Sequence, residues 1–136
     1  MPPAQDNERA AAILERQAQG LLALDEALVE LADANCVVTI AALIAERLRV
    51  QPDVAARFLD AESDEPISVI CRAAGFSLNG FSAILRMRRR RHHGSRNATE
   101  ALGYFSSLNR TSAERILQQM VPRPARPARR FSRRER

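Results

Sequence analysis

The densest chemistry in this chain is cationic: Arg86-Met87-Arg88-Arg89-Arg90-Arg91-His92-His93 places six basic or protonatable side chains in a row from Arg88. A guanidinium donates forked hydrogen bonds that match the oxygens of phosphates and carboxylates. On a helix the run would spread positive charge round nearly every side, near a carboxyl end where the helix dipole favours cations. Two readings stand. Arg86, Arg88, Arg89, Arg90 and Arg91 form an anion- or partner-binding patch, or they are a solvated helix end in a chain whose 21 basic residues are all arginine. The carboxyl-terminal stretch adds Arg123, Arg126, Arg129, Arg130, Arg133 and Arg134, with Arg136 last. A basic arm of this kind binds a phosphate backbone by counterion release, or an acidic protein face or anionic lipid. Phe131 is its one aromatic residue, so base stacking has little support.

Other reactive residue types do not assemble. His92 and His93 are neighbours, and neighbours on a helix point about 100° apart, which is poor for joint chelation. No acid or cysteine close to them completes a metal site. Cys36 and Cys71 sit among apolar residues and read as core packing, with an oxidation-sensitive pair as the alternative. Asp60, Glu62, Asp64 and Glu65 cluster where a turn is expected and read as capping and solubilising residues. The five glycines are scattered, so no phosphate loop forms, and no strand-to-helix nucleophile elbow occurs. Ile67–Leu85 has the length of a helix-turn-helix with Gly75 at its turn. Its second helix, however, offers only Asn79, Gly80 and Ser82 to read bases. The expectation is a non-enzyme with no cofactor and no metal.

Composition sets the frame that must position these residues. With 136 residues, 46% hydrophobic and 4% aromatic, the chain can form one core of Ala, Leu, Ile and Val, which suits close helix packing. The formal net charge of +5 hides a split. Residues 1–85 hold six Arg against thirteen acids, and residues 86–136 hold fifteen Arg against three. Such asymmetry steers an anionic partner to one end. No apolar run reaches the about 18 residues of a membrane span. Met1–Asp6 lacks the basic-then-apolar pattern of a secretory signal, and two cysteines fit reduced thiols, so a cytoplasmic setting is expected.

Along the chain, residues 1–6 read as a flexible lead-in, 7–121 as a helical domain and 122–136 as a disordered basic tail rich in Pro and Arg. A first helical segment over about 7–33 carries Leu21, Leu24, Leu28 and Leu31 on one face, with Gly20 as a point of division. A helix from near Thr39 presents Leu43, Ile44 and Leu48. Pro52 and Pro66 suit the first turns of the next two, whose apolar sets are Val54, Phe58, Leu59 and Ile67, Ile70, Cys71, Ala74. Gly75 is a left-handed stop, and Ser77 or Asn79 caps a helix with Phe81, Ile84 and Leu85 inward. Asn97-Ala98-Thr99-Glu100 and Thr111-Ser112-Ala113-Glu114 resemble capping boxes ahead of the Ala101, Leu102, Phe105, Leu108 and Ile116, Leu117, Met120 patterns. A spacing of 26 maps Ile44, Val50, Phe58 and Leu59 onto Ile70, Phe76, Ile84 and Leu85. That is either a repeat of helical hairpins or the similarity of any two amphipathic pairs.

The stretch Pro66-Ile67-Ser68-Val69-Ile70-Cys71-Arg72-Ala73-Ala74-Gly75-Phe76, continuing through Phe81-Ser82-Ala83-Ile84-Leu85-Arg86-Met87-Arg88, resembles the repeated helical pattern of DUF2336. This is a family of uncharacterised bacterial proteins found mainly in alphaproteobacteria. Leu28-Val29-Glu30-Leu31-Ala32 is similar to the helix that precedes its hairpin units, and the Tyr104-Phe105 and Ala113–Leu117 helices to its closing pair. The resemblance covers about residues 20–120 and implies an all-α, HEAT-like stack of short hairpins, here in a short version. It supplies no catalytic or ligand-binding residues. The functional expectation is a protein-interaction or regulatory scaffolding module with a protein partner, or a homodimer that covers the Leu21–Leu31 or Leu102–Leu108 face. The alternative is non-specific binding of nucleic acid or another polyanion through the basic carboxyl-terminal region.

Overall fold

The computed structural model describes residues 3–91 and 98–121, with side chains from residue 8 onward. Among these residues all the regular secondary structure is helical and forms an eight-helix bundle: α1 (Pro3–Ala18), α2 (Leu24–Asp33), α3 (Val37–Leu48), α4 (Pro52–Leu59), α5 (Glu65–Ala73), α6 (Leu78–Arg90), α7 (Ala98–Ser107) and α8 (Arg110–Met120). Arg123, Arg126, Arg129, Arg130, Arg133 and Arg134 lie outside the described residues, as do His92, His93 and Asn97.

The boundaries follow local chemistry. Backbones at Gly20, Asn35, Arg49 and Gly75 are left-handed, and they end α1, α2, α3 and α5. Arg49 and Gly75 stand 26 residues apart, so the helix stop keeps the same spacing as the apolar pattern. Pro52 and Pro66 occupy first turns, where a missing N–H is harmless. Ser77 caps α6 by accepting from the Gly80 amide at 3.3 Å. Two boundaries differ from expectation. α1 already includes residues 3–6, with Pro3 pre-set for a first turn. The cap of α8 is Asn109, whose side-chain oxygen accepts from the Ser112 amide at 2.8 Å; Thr111 lies inside the helix.

The apolar faces converge on one core. Leu28, Leu31, Ile40, Ile44, Ile67, Ile70, Phe81 and Ile84 have no solvent exposure. Each such side chain contributes about 1.5–3 kcal/mol by leaving water. Leu28, Leu31 and Leu108 are buried within the single chain, and Leu24 and Leu102 on the same faces are half-buried. Leu21 is the exception at 70% exposed, because it falls in the α1–α2 turn and not on the helix face.

Helix pairing departs from a simple succession of hairpins. α3 and α4 pack closely as neighbours, but α6 returns to lie on α2, and α5 lies mainly on α8 and α7. α5 and α6 are not among the main packed pairs. The α2–α6 approach depends on Gly80, where a Cβ would stand 3.2 Å from Leu28 Cδ1. Asp25 ties the same two helices by accepting from the Ser77 amide at 3.2 Å. Phe81 and Phe105 stack with centroids 4.4 Å apart and join α6 to α7.

Two glycines should therefore respond in opposite directions to substitution. Gly80→Leu should cost about 1–3 kcal/mol by overpacking against Leu28. Gly103→Ala, in α7 with open space around it, should add about 0.5–1 kcal/mol through helix propensity. Urea unfolding of both variants measures the two effects. Equal responses would contradict the close α2–α6 contact.

Candidate functional site

The arginine run separates residue by residue once α6 is placed. Arg88 belongs to the interior, with no residue exposure. Its Nε and Nη2 donate to Asp64 Oδ1 at 3.2 and 3.1 Å. Nη2 also donates to the carbonyls of Ala61 at 2.8 Å and Ser63 at 2.9 Å. Nη1 donates to the Leu59 carbonyl, and to that of Phe58 at 3.4 Å. One guanidinium thus closes the last turn of α4 and holds the α4–α5 turn. Arg88 is therefore removed from the expected anion-binding patch, because each of its donor nitrogens already has an internal acceptor.

The neighbours of Arg88 are exposed but mostly engaged. Arg90 donates through Nη2 to the Ala32 carbonyl at 2.6 Å and through Nε to Asn35 Oδ1 at 3.2 Å, which caps α2. Arg91 lies 3.5 Å from Asp60, and Arg86 lies 4.0 Å from Asp33. Arg89 is exposed and pairs with no described residue. The run is mainly a set of ties between α6 and the ends of α2 and α4. Sequence alone could not separate Arg88 from Arg89, because the acceptors of Arg88 lie 24 to 30 residues upstream.

A different feature has the shape of a site. An open groove of about 670 Å³ lies between the α4–α5 turn with the start of α5 and one side of α7. Glu62, Glu65 and Glu100 line it together with Asp64, which Arg88 already holds. Ser63, Ser68, Ser107 and Tyr104 supply hydroxyls, and Ala101 and Gly103 form part of its wall. Among the described residues no cation lines it. Ser68 is fully buried and donates to the Asp64 carbonyl at 2.8 Å, fixing the turn that presents the acids. Of the four turn acids read from sequence, Glu62, Asp64 and Glu65 line the groove, and Asp64, at the α5 N-cap position, makes no side-chain cap hydrogen bond. The contribution of Glu100 and Tyr104 from α7 was not legible, since nothing local marks α7 as the opposite wall.

The two cysteines are buried free thiols. Burial pushes the Cys71 thiol well above its ordinary range, while the charge of Arg88 pulls weakly the other way. Cys71 is thus a protonated, unreactive core residue. Among the described residues no group of three His, Cys, Asp or Glu is placed to hold a metal ion. No described helix is long and apolar enough to cross a membrane.

An all-helical bundle with a fully packed core and an open surface groove defines a small helical domain. Its family is that of uncharacterised proteins conserved in bacteria, DUF2336: the family model matches residues 1–118, and the chain belongs to this family. The match begins with α1, ahead of the stretch from about residue 20 that carries the visible resemblance. No curated protein and no solved structure matches the chain.

Two outcomes follow from the buried groups. Arg88→Ala should destabilise the fold by about 3–5 kcal/mol, since it breaks the buried ion pair with Asp64 and leaves several carbonyls without their donor. Arg89→Gln should stay within about 0.5 kcal/mol of the parent. Chemical denaturation distinguishes them, and similar values would refute the internal role of Arg88. For Cys71, both states keep the proton below the ordinary thiol value of 9.0. Above it the unfolded chain loses the proton and the native chain retains it. Stability should therefore fall with rising pH by up to about 1.4 kcal/mol per unit. Cys71→Ala should flatten that slope in unfolding curves recorded between pH 8 and about 10.5.

Proposed function

We propose that this chain is a protein-interaction module with a regulatory or scaffolding role, and that the α5–α7 groove takes a basic, extended segment of a partner protein. The observation that carries the reading is the convergence of Glu62, Glu65 and Glu100 from two separate elements on one open groove. A partner arginine or lysine would neutralise carboxylates that otherwise repel one another across the groove. Tyr104 adds a ring and a hydroxyl to the same wall, the kind of side chain that anchors interfaces. Packed short helices that present continuous surfaces to partners agree with this role.

The test is a pull-down from the source cells with the full chain and with a Glu62→Gln, Glu65→Gln, Glu100→Gln variant, read by mass spectrometry. Proteins with basic segments should be retained by the parent and depleted about tenfold by the variant, in line with the loss of three partly exposed charges. Identical partner sets would remove the groove from the proposal.

A second reading is non-specific polyanion binding, favoured by the unpaired, exposed Arg89 and by the arginine-rich sequence after residue 121. Mobility shifts of duplex DNA should then appear with the intact chain and vanish with residues 1–121. Negligible shifts with both would eliminate it.

A further inference from the structure

We propose that the carboxyl end of α5 carries a binding site for a phosphoryl group, built by Arg47, Arg72 and Arg110. These residues come from α3, α5 and α8 and have no special spacing in the sequence. Arg47 donates from Nε to the Ala74 carbonyl at 2.7 Å, and its guanidinium carbon lies 5.9 Å from the centre of the Phe76 ring. Arg72 donates from Nε to the Leu108 carbonyl at 2.6 Å and lies 5.3 Å from the centre of the Phe105 ring. Both rings are buried, so each guanidinium rests on a fixed support. Its orientation is set before any ligand arrives, which reduces the ordering cost of binding.

Gly75 is the bare point between two of these groups. A Cβ there would stand 3.5 Å from Arg110 Nη1 and 3.6 Å from Arg47 Nη2. The backbone at Gly75 is left-handed, with φ of 81°, so the helix ends here without a side chain to fill the space. The Gly75 and Phe76 amides already donate to Arg72 and Cys71 carbonyls. The donors left over are the terminal nitrogens of the guanidiniums, for which no described residue is an acceptor.

Helix capping alone explains why Arg47 sits at this helix end, since its Nε meets the Ala74 carbonyl there. It does not account for the placing of Arg110, whose Nη1 comes within 3.5 Å of where a Gly75 Cβ would stand. The nearest acid to Arg110 is the exposed Glu114, at 3.8 Å from Nε. The negative end of a helix dipole disfavours anions with only about half a unit charge, and the full charges of Arg47 and Arg110 beside Gly75 outweigh it. Several planar forks suit the oxygens of a tetrahedral dianion better than the two oxygens of a single carboxylate. The shared chemistry is the phosphoryl dianion, carried by free phosphate or by a phosphate ester.

The test is titration of the ¹⁵N-labelled full chain with inorganic phosphate and with O-phosphoserine, at ionic strength held constant with chloride and read at the arginine Nε–Hε signals. Saturable shifts at Arg47 and Arg72 are expected. Arg110→Gln, an exposed change that leaves the helical circular dichroism intact, should weaken binding about tenfold. Arg89→Gln should not weaken it. Tighter binding of O-phosphoserine would identify an ester as the source, and tighter binding of inorganic phosphate the free ion. Non-saturable shifts, or equal weakening by Arg89→Gln and Arg110→Gln, would overturn the site.

Discussion

One buried guanidinium ties α6 to the end of α4 and to the α4–α5 turn. Arg88 connects a helix interior to the α4–α5 turn through Asp64 and the carbonyls of Phe58, Leu59, Ala61 and Ser63. Carbonyls at the end of an α-helix have no partner within the helix, and leaving them dry is costly. The α4–α5 turn has no Gly to supply a left-handed stop, so the donors must come from elsewhere. An arginine can fill this role where a lysine cannot, because its planar fork reaches several acceptors without losing charge.

The same device recurs at lower burial. Arg90 closes α2 through Ala32 and Asn35, Arg47 meets the end of α5 at Ala74, and Arg72 meets the segment after α7 at Leu108. In each case a cation from one helix meets carbonyls at or just past the end of another, where the helix field already favours positive charge. Short helices of eight to sixteen residues have a large share of their backbone groups at ends. A fold made of such helices therefore has many carbonyls to satisfy. Its arginines lie where those carbonyls are, which makes much of the basic character structural.

This division explains what could and could not be read from the residue order. Helix stops at Gly20 and Gly75, starts at Pro52 and Pro66, and inward positions such as Leu28, Ile44, Ile70 and Ile84 depend on local spacing, and they were legible. Asn109 displaced Thr111 as the α8 cap because two overlapping capping signals differ only in where the helix begins. The fates of Arg88 and Arg89 were not legible, since adjacent residues on a helix face different directions and only tertiary placement decides which one is inside. Gathering Arg47, Arg72 and Arg110 likewise requires three helices to be positioned first. The α2–α6 contact is of the same kind: Gly80 looks like an ordinary weak helix residue until Leu28 is placed against it.

α5 carries the sorting of charge to its limit. Glu62, Asp64 and Glu65 sit at or just before its amino end, and Arg47, Arg72 and Arg110 gather at its carboxyl end. Nine residues of helix separate the two ends by about 13 Å. That is more than the about 8–10 Å over which salt screens exposed charges, so the two ends act nearly independently on a partner. Each cluster is individually favoured by the dipole of the helix it flanks. Yet dipole stabilisation is complete with one or two charges, and it sets no requirement for a groove at one end or for surplus unpaired donors at the other. The excess over what capping needs is where a binding role finds its support, and it lies on both ends of the same buried helix.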